Sequence, residues 1–376
     1  MSLPAVHQLV PSVVPGDATT NHTLQLQRLL RDRGHPSEVF ATAVHPDLEH
    51  RVRLLHELRG PSRPDRFLIY QLSSPSPIAD WLIGRREPIA VDYHNLTPAG
   101  FFRRWDRSTM LALRSAQVQV SQLARLAQLG IGDSRFNVAD LRRHGFDHTA
   151  VAPVLIDFAD LDVEPDADTA AELARRPTPR WAGTGTRWLF VGALAPHKAQ
   201  HRLVAALAVH RQLYDPQATL TLVGRPVVAS YAHAVARYVD ALGLGSAVTI
   251  TGGITHQQLV AHYQGADVLV SASEHEGFCV PLLEALHHGL PVVAHAAAAV
   301  PETLGPAGLL VHDRTPAALA AAVHRLAGDA ALRRVLAAAA ARRLAHFALP
   351  RTRAAMAAVL DSWMARAAAA TRTRWA

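Results

Sequence analysis

Short apolar runs alternate with longer amphipathic stretches along nearly the whole chain, the arrangement expected of parallel strands joined by crossover helices. In the first half, the runs near Ala5 to Val10, Glu38 to Thr42, Phe67 to Gln71, Ile89 to Tyr93 and Ala150 to Ala152 read as strands, with helices in the gaps. The clearest helix is Thr19 to Arg33, which Gly34 ends as a C-terminal glycine does. An acidic stretch bearing proline and alanine, DFADLDVEPDADTAAELARRPTPRWAGTGT, then has the marks of a linker. A second alternation starts with WLFVG at Trp188 and continues through TLTLVG, AVTITGG, ADVLVSAS, LPVVAH and GLLV. The expected division is a first domain over residues 1–165, a linker over 166–186, a second domain over 187–346, and a C-terminal helix over 347–376 that crosses back to the first domain.

Length and composition agree with two α/β domains. A chain of 376 residues is long for one core and suits two, and at 49% hydrophobic and 18% charged it is globular. The beginning, MSLPAVHQLVPSVVPGD, has no basic segment and does not read as a signal peptide, and no apolar run reaches the ~20 residues that span a bilayer. One cysteine, Cys279, allows no intrachain disulfide and is compatible with a reducing cytosol. A soluble, cytoplasmic protein is therefore expected. The net charge of +7 lies in the second half: residues 1–180 hold 21 basic and 21 acidic side chains, residues 181–376 hold 17 and 10. Part of the excess sits on the tail from Arg351, read as a solvated helix, so peripheral membrane contact is not indicated. No basic run interleaved with aromatics points to nucleic acid, whereas a diphosphate ligand would gain from the same field.

The richest chemistry lies between Ser273 and Val293, SEHEGFCVPLLEALHHGLPVV. Glu276 and Glu284 stand eight positions apart, with Gly277 and Phe278 between them and a helix opening near Pro281. Proline suits a first helical turn, where backbone N–H groups lack intrahelical partners and a polar ligand can dock. Glu284, further along the helix, is placed to grip a pair of neighbouring hydroxyls. With the strand ADVLVSAS before it and GLPVV and AVPETLGPAGLLV after it, this segment resembles the Glu-x7-Glu signature of retaining glycosyltransferases of family 4, which have the GT-B fold. The resemblance covers nearly the whole chain and implies two Rossmann-like domains, with parallel sheets facing a cleft: an N-terminal acceptor domain and a C-terminal donor domain.

Three further elements follow the same family. In VGALAPHKAQHRLVAAL, Gly192 follows a buried strand and Lys198 stands six residues on, where its charge can meet a phosphate at the start of the next helix. This resembles the family's Val-Gly-Arg-Leu-x-x-x-Lys element, except that Ala193 occupies the arginine position; Arg225, after Gly224, is the candidate replacement. The family's glycine-bearing loop after the first strand is represented by Gly16 and Asp17, and the strand-end histidine by His94, followed by Asn95. The resemblance then implies that Lys198 and Glu276 act at the reaction centre with His94. Gly16, Gly192, Lys198, Arg225, Glu276, Gly277, Phe278, Cys279, Val280 and Glu284 bind the donor, and Asp17 and Asn95 lie on the acceptor side.

No Gly-x-Gly-x-x-Gly, Walker lysine or Gly-x-Ser-x-Gly elbow is present, which argues against dinucleotide oxidoreduction, nucleotide hydrolysis and acyl transfer. His275 with Cys279, and the pair His287 and His288, lack further ligands in the sequence, and no Asp-x-Asp motif is placed to hold a divalent ion and a diphosphate together. His94 likewise shows no carboxylate motif around it. The expectation is a metal-independent retaining hexosyltransferase that needs no cofactor beyond a UDP- or GDP-linked sugar as co-substrate, and whose acceptor is a saccharide, natural product or lipid head group. Its rivals are a same-fold phosphorylase or disaccharide synthase, and a non-catalytic nucleotide-sugar-binding protein.

Overall fold

The structure, a computed structural model, describes residues 3–63, 65–174 and 185–374. It separates into two compact units: residues 1–99, 108–156 and 347–376 form the first, and residues 100–107 and 157–346 the second.

The first unit is built on a seven-stranded sheet of β1 (Ala5–Val13), β2 (Val39–Val44), β3 (Arg53–Leu54), β4 (Arg66–Leu72), β5 (Ile89–Tyr93), β6 (Leu129–Gly132) and β7 (Thr149–Val151). All pairings are parallel, in the order β3-β2-β1-β4-β5-β6-β7. Every residue of β4 and β5 is buried, as expected of central strands covered by helices on both faces. Helix Ala18–Asp32 covers one face, with Leu26 and Leu30 packed near Val6 and Ile69. The long terminal helix Leu349–Arg374 adds Met356, Leu360 and Trp363 to the same core, and Trp363 meets Phe67 edge-on at 5.2 Å.

β6 escaped the sequence pattern because it reads LGIG, and glycine is depleted in strands. The glycines are there for packing. A Cβ on Gly130 would fall 2.8 Å from the Phe146 ring, and one on Gly132 would fall 2.9 Å from the Val138 backbone nitrogen, so only glycine lets the turn of helix Arg135–Arg143 pack this close. The two-residue β3 was also unexpected.

The second unit has a six-stranded parallel sheet: β8 (Arg187–Val191), β9 (Thr219–Val223), β10 (Val248–Gly252), β11 (Val268–Ser271), β12 (Val292–His295) and β13 (Leu309–Val311), in the order β10-β9-β8-β11-β12-β13. Each strand falls on an apolar run of the sequence. In both sheets the order reverses beside the first strand, between β1 and β4 and between β8 and β11, which is where α/β sheets of this kind open a crevice beyond their carboxyl ends.

Two expected boundaries need correction. Residues 100–107 group with the second unit rather than the first: Ser230 Oγ donates to the Trp105 carbonyl at 2.7 Å, and the Trp105 and Tyr231 rings meet edge-on at 5.2 Å. The stretch read as a linker over 166–186 begins with an ordered helix, Ala167–Ala174, whose Leu173 lies where a Cβ on Gly265 would be, 2.7 Å from it; residues 175–184 lie outside the described residues. Among the described residues no helix is long and apolar enough to cross a membrane.

Candidate active site

In the second unit the loops after β8 and β11 bring the expected residues together. Lys198 Nζ donates to both oxygens of Glu276, at 2.8 and 2.7 Å. Their side chains are 21% and 8% exposed, so the pair is largely shielded from water yet open at one edge. Burial opposes the lysine's charge, but Glu276 outweighs it and raises the lysine pKa above its ordinary value, keeping the ammonium charged. The loops are held from behind. Glu274 N donates to the His197 carbonyl at 2.8 Å, Ala299 N to the Glu276 carbonyl at 3.2 Å, and Thr303 Oγ1 to the Phe278 carbonyl at 2.5 Å.

Each loop also ends in a left-handed residue that is not glycine. Ala199 has φ 52° at the start of helix Gln200–Leu213, and Cys279 has φ 75° at the start of helix Val280–His287. Neither helix has a side-chain cap. Such backbone conformations cost roughly 1–3 kcal/mol each and persist where the surroundings enforce them, often at functional sites. Two more non-glycine residues share the property, Asn95 (φ 79°) after β5 and Ala298 (φ 51°) after β12. All four lie past the carboxyl ends of sheet strands. The Cys279 thiol is pushed well up, first by burial and then by Glu276, which makes it an inert neutral group.

Glu284 lies on helix Val280–His287, where Tyr263 Oη donates to its Oε2 at 2.6 Å. Burial raises its pKa against the opposing effect of that bond. Tyr263 is fully buried, stacked on His288 at 5.3 Å, and carries no signal in the sequence beyond its place on an apolar helix face. Around Gly192 the neighbouring loops nearly touch: a Cβ on Gly224 would fall 2.1 Å from the Gly192 carbonyl oxygen. Leu194 N donates to the Arg225 carbonyl at 2.9 Å, so Arg225 sits on the loop beside Ala193. Its exposed side chain lies against Gly253, where a Cβ would come within 2.7 Å of Nε, and it makes no ion pair among the described residues. Phe101 and Phe102 lie near the His197 ring, at centroid distances of 6.2 and 6.0 Å, a pairing that the sequence did not suggest.

In the first unit His94 follows β5 as expected, but it is not an isolated loop histidine. Its Nδ1 lies 3.0 Å from Asp133 Oδ2 and its Nε2 lies 2.6 Å from Gln71 Oε1. The expectation that no carboxylate surrounds it is corrected, because Asp133 comes from the loop after β6, remote in sequence, and Asp92 lies on β5 two residues before it. Burial disfavours charge on the ring, yet Asp133, followed by Asp92 and Asp17, raises its pKa to about 9. His22, from helix Ala18–Asp32, meets Asp92 at 2.9 Å, and Leu155 N donates to its Nδ1 at 3.0 Å. His22, Asp92 and His94 offer three ligand atoms within 4.8 Å of one another, but both nitrogens of each ring are already engaged in these hydrogen bonds. Asp17 accepts from Thr20 N at 2.9 Å and thereby caps helix Ala18–Asp32, with Gly16 (φ 76°) making the turn before it. Asn95 is directed inward, its Nδ2 donating to Asn137 Oδ1 at 3.0 Å.

Comparison with known proteins identifies the family. Residues 185–329 match the family model described as glycosyl transferases group 1. A D-inositol 3-phosphate glycosyltransferase of Geodermatophilus obscurus is 30% identical over 374 residues, covering 88% of this chain and 81% of that protein. The chain belongs to this glycosyltransferase family. Other alignments of the chain are shorter. One of 34% identity to a Kineococcus radiotolerans D-inositol 3-phosphate glycosyltransferase spans 52% of this chain and 48% of that protein; one of 31% to a Mycobacterium tuberculosis GDP-mannose-dependent phosphatidylinositol monomannoside mannosyltransferase spans 44% and 43%. The chain thus spans about half the length of these curated relatives. Among solved structures, sucrose-phosphate synthase of Thermosynechococcus elongatus superposes with a TM-score of 0.74 at 23% identity, over 96% of this chain and all of that one. Anabaena HepE, solved in complex with UDP-glucose, superposes at 0.73 and 20% identity, over 95% and 99%. The chain therefore has the GT-B fold.

Proposed function

We propose that this protein is a retaining family 4 enzyme that moves a hexose from a UDP- or GDP-linked sugar to a hydroxyl of a saccharide, natural product or lipid head group, without a metal ion or other cofactor. The observation that carries this reading is the Lys198–Glu276 pair past the carboxyl ends of β8 and β11. A cation suited to a diphosphate and a carboxylate suited to sugar hydroxyls stand within 2.8 Å of each other, and in a nucleotide sugar those two ligand parts are joined by one bond. The uncapped starts of helices Gln200–Leu213 and Val280–His287 favour the same anion.

On this reading the bond between the anomeric carbon and the terminal phosphate oxygen breaks as the acceptor oxygen attacks from the same face. The acceptor proton passes to the departing phosphate. Lys198 and the helix starts meet the negative charge that develops on the leaving group, an effect worth far more in a shielded site than in water. Gly192, Gly277, Phe278, Cys279 and Val280 form the backbone around the donor, Glu284 grips the ribose through its free Oε1, and Arg225 supplies the second cation that Ala193 lacks. The reading keeps His94 with the sugar and Asn95 on the acceptor side; Gly16 and Asp17 are retained as turn and cap of the first-strand loop. A cytoplasmic location completes the proposal.

A thermal-shift panel of UDP and GDP, free and sugar-linked, tests it. A donor at one hundred times its dissociation constant should stabilise the protein by roughly 2.7 kcal/mol. NMR of the product should then find the donor's anomeric configuration kept. No stabilisation by any member of the panel would overturn the reading, and an inverted product would overturn retention alone.

A further inference from the structure

A line of buried polar groups crosses the first sheet near its carboxyl end. Gln8 on β1 and Gln71 on β4 are fully buried, and Asp133 after β6 is 3% exposed. Burying polar groups is costly unless they are paired, and the paired members of this line fix one arrangement, while Asp133 Oδ1 and Asp92 Oδ1 are buried without a partner among the described residues. Its direction follows from its end. The Thr23 carbonyl can only accept, so the amide of Gln8 donates to it, at 3.0 Å. Gln8 Oε1 must then accept from Gln71 Nε2, at 2.9 Å, which turns Gln71 Oε1 toward His94 Nε2, at 2.6 Å. An oxygen there requires a proton on Nε2. On the other side Asp133 Oδ2 lies 3.0 Å from Nδ1; burial raises the Asp133 pKa and the charge on His94 opposes that rise, so an ionised carboxylate there goes with a proton on Nδ1.

We infer that Gln8, Gln71 and Asp133 act as positioning residues that hold His94 doubly protonated, so that it presents a fixed positive charge past the end of β5 and takes up no proton during the reaction. The groups facing it are consistent. Asp133, Asp92 and Asp17 are the acidic neighbours, and all three favour the cation. The remaining neighbour, His22, has its ring centroid 5.1 Å away, with the Leu155 N–H donating to its Nδ1 and its Nε2 2.9 Å from Asp92. The role of the charge in turnover rests on the proposed function; the protonation state does not.

Nitrogen-15 NMR of the imidazole rings in the intact protein tests the inference without any substrate. Near neutral pH both His94 nitrogens should resonate as an imidazolium, identified by loss of the signals in His94→Gln. In Gln8→Leu, Gln71 is free to turn its NH2 toward His94, and the ring should become neutral at a lower pH by at least one unit. A neutral His94 tautomer in the unsubstituted protein near neutral pH overturns the inference, whether or not Gln8→Leu folds. So does a His94 titration that Gln8→Leu leaves unmoved. If the imidazolium is present but no nucleotide sugar binds, the charge state stands and the proposed function falls.

Discussion

The charged centres of the two units are built differently. In the second, Lys198 and Glu276 come from loops after adjacent strands, face each other directly and remain partly open to solvent. In the first, His94 is 6% exposed and its contacts run through Asp133, Gln71 and Gln8 across four neighbouring strands. An open pair can exchange its internal bonds for a ligand's. A closed line instead stores one protonation state and one ring orientation, because changing either leaves a buried group unpaired. The contrast assigns variable contacts to the second unit and a constant charge to the first.

The largest effect should come from breaking the open pair. Lys198→Ala is expected to lower turnover by roughly a hundredfold or more, the range for losing a group that stabilises developing charge. Steady-state assays with the donor found in the thermal-shift panel measure this, and unchanged turnover would move the role to Arg225.

His94→Ala should come next, lowering the rate about tenfold or more while leaving the affinity for free nucleoside diphosphate unchanged, as expected for a contact made mainly in the transition state. The same histidine links charge to stability. Its folded pKa of about 9 lies above the unfolded value of about 6.5, so its contribution is full below pH 6.5 and is lost as pH rises through 9. Denaturant titrations of the unsubstituted protein should decline over that window, and those of His94→Gln should lack this component.

A smaller effect separates the two glutamates. Glu284→Gln should weaken free nucleoside diphosphate by about tenfold, the range for one hydrogen bond to a charged group, whereas Glu276→Gln should spare the nucleotide and lose the sugar. Calorimetry on both variants decides, and equal losses would refute the division of roles. Tyr263→Phe should weaken the nucleotide a few-fold. Burial raises the Glu284 pKa and the tyrosine's hydrogen bond lowers it, so this variant should lose affinity at a higher pH than the unsubstituted protein as the solution is acidified. The least change is expected from EDTA, which should leave turnover intact. Loss of activity restored by magnesium or manganese would instead direct attention to His22, Asp92 and His94.

Much of the second unit was legible in the sequence because its information is local. Lys198 and Glu276 each lie a few residues past a buried apolar run, and the turns that follow them open helices, so the local pattern together with the family resemblance placed them past strand ends of one sheet. The strand LGIG was not legible, since its glycines answer to Phe146 and Val138, which the chain brings back only after folding. Most partners of His94 were equally hidden. Gln8, Gln71 and Asp133 are scattered over more than 120 positions, and each read alone is an ordinary polar residue in or beside an apolar run. Residues 100–107 grouped with the second unit through Trp105, Ser230 and Tyr231, contacts that no local pattern encodes. By itself the sequence determined where most strands form and which turns carry a cation and a carboxylate, because periodicity, glycine placement and motif spacing act over a few residues. Only the tertiary structure decided which charges meet and which proton stays, because those depend on parallel pairing that brings distant strand ends side by side out of water.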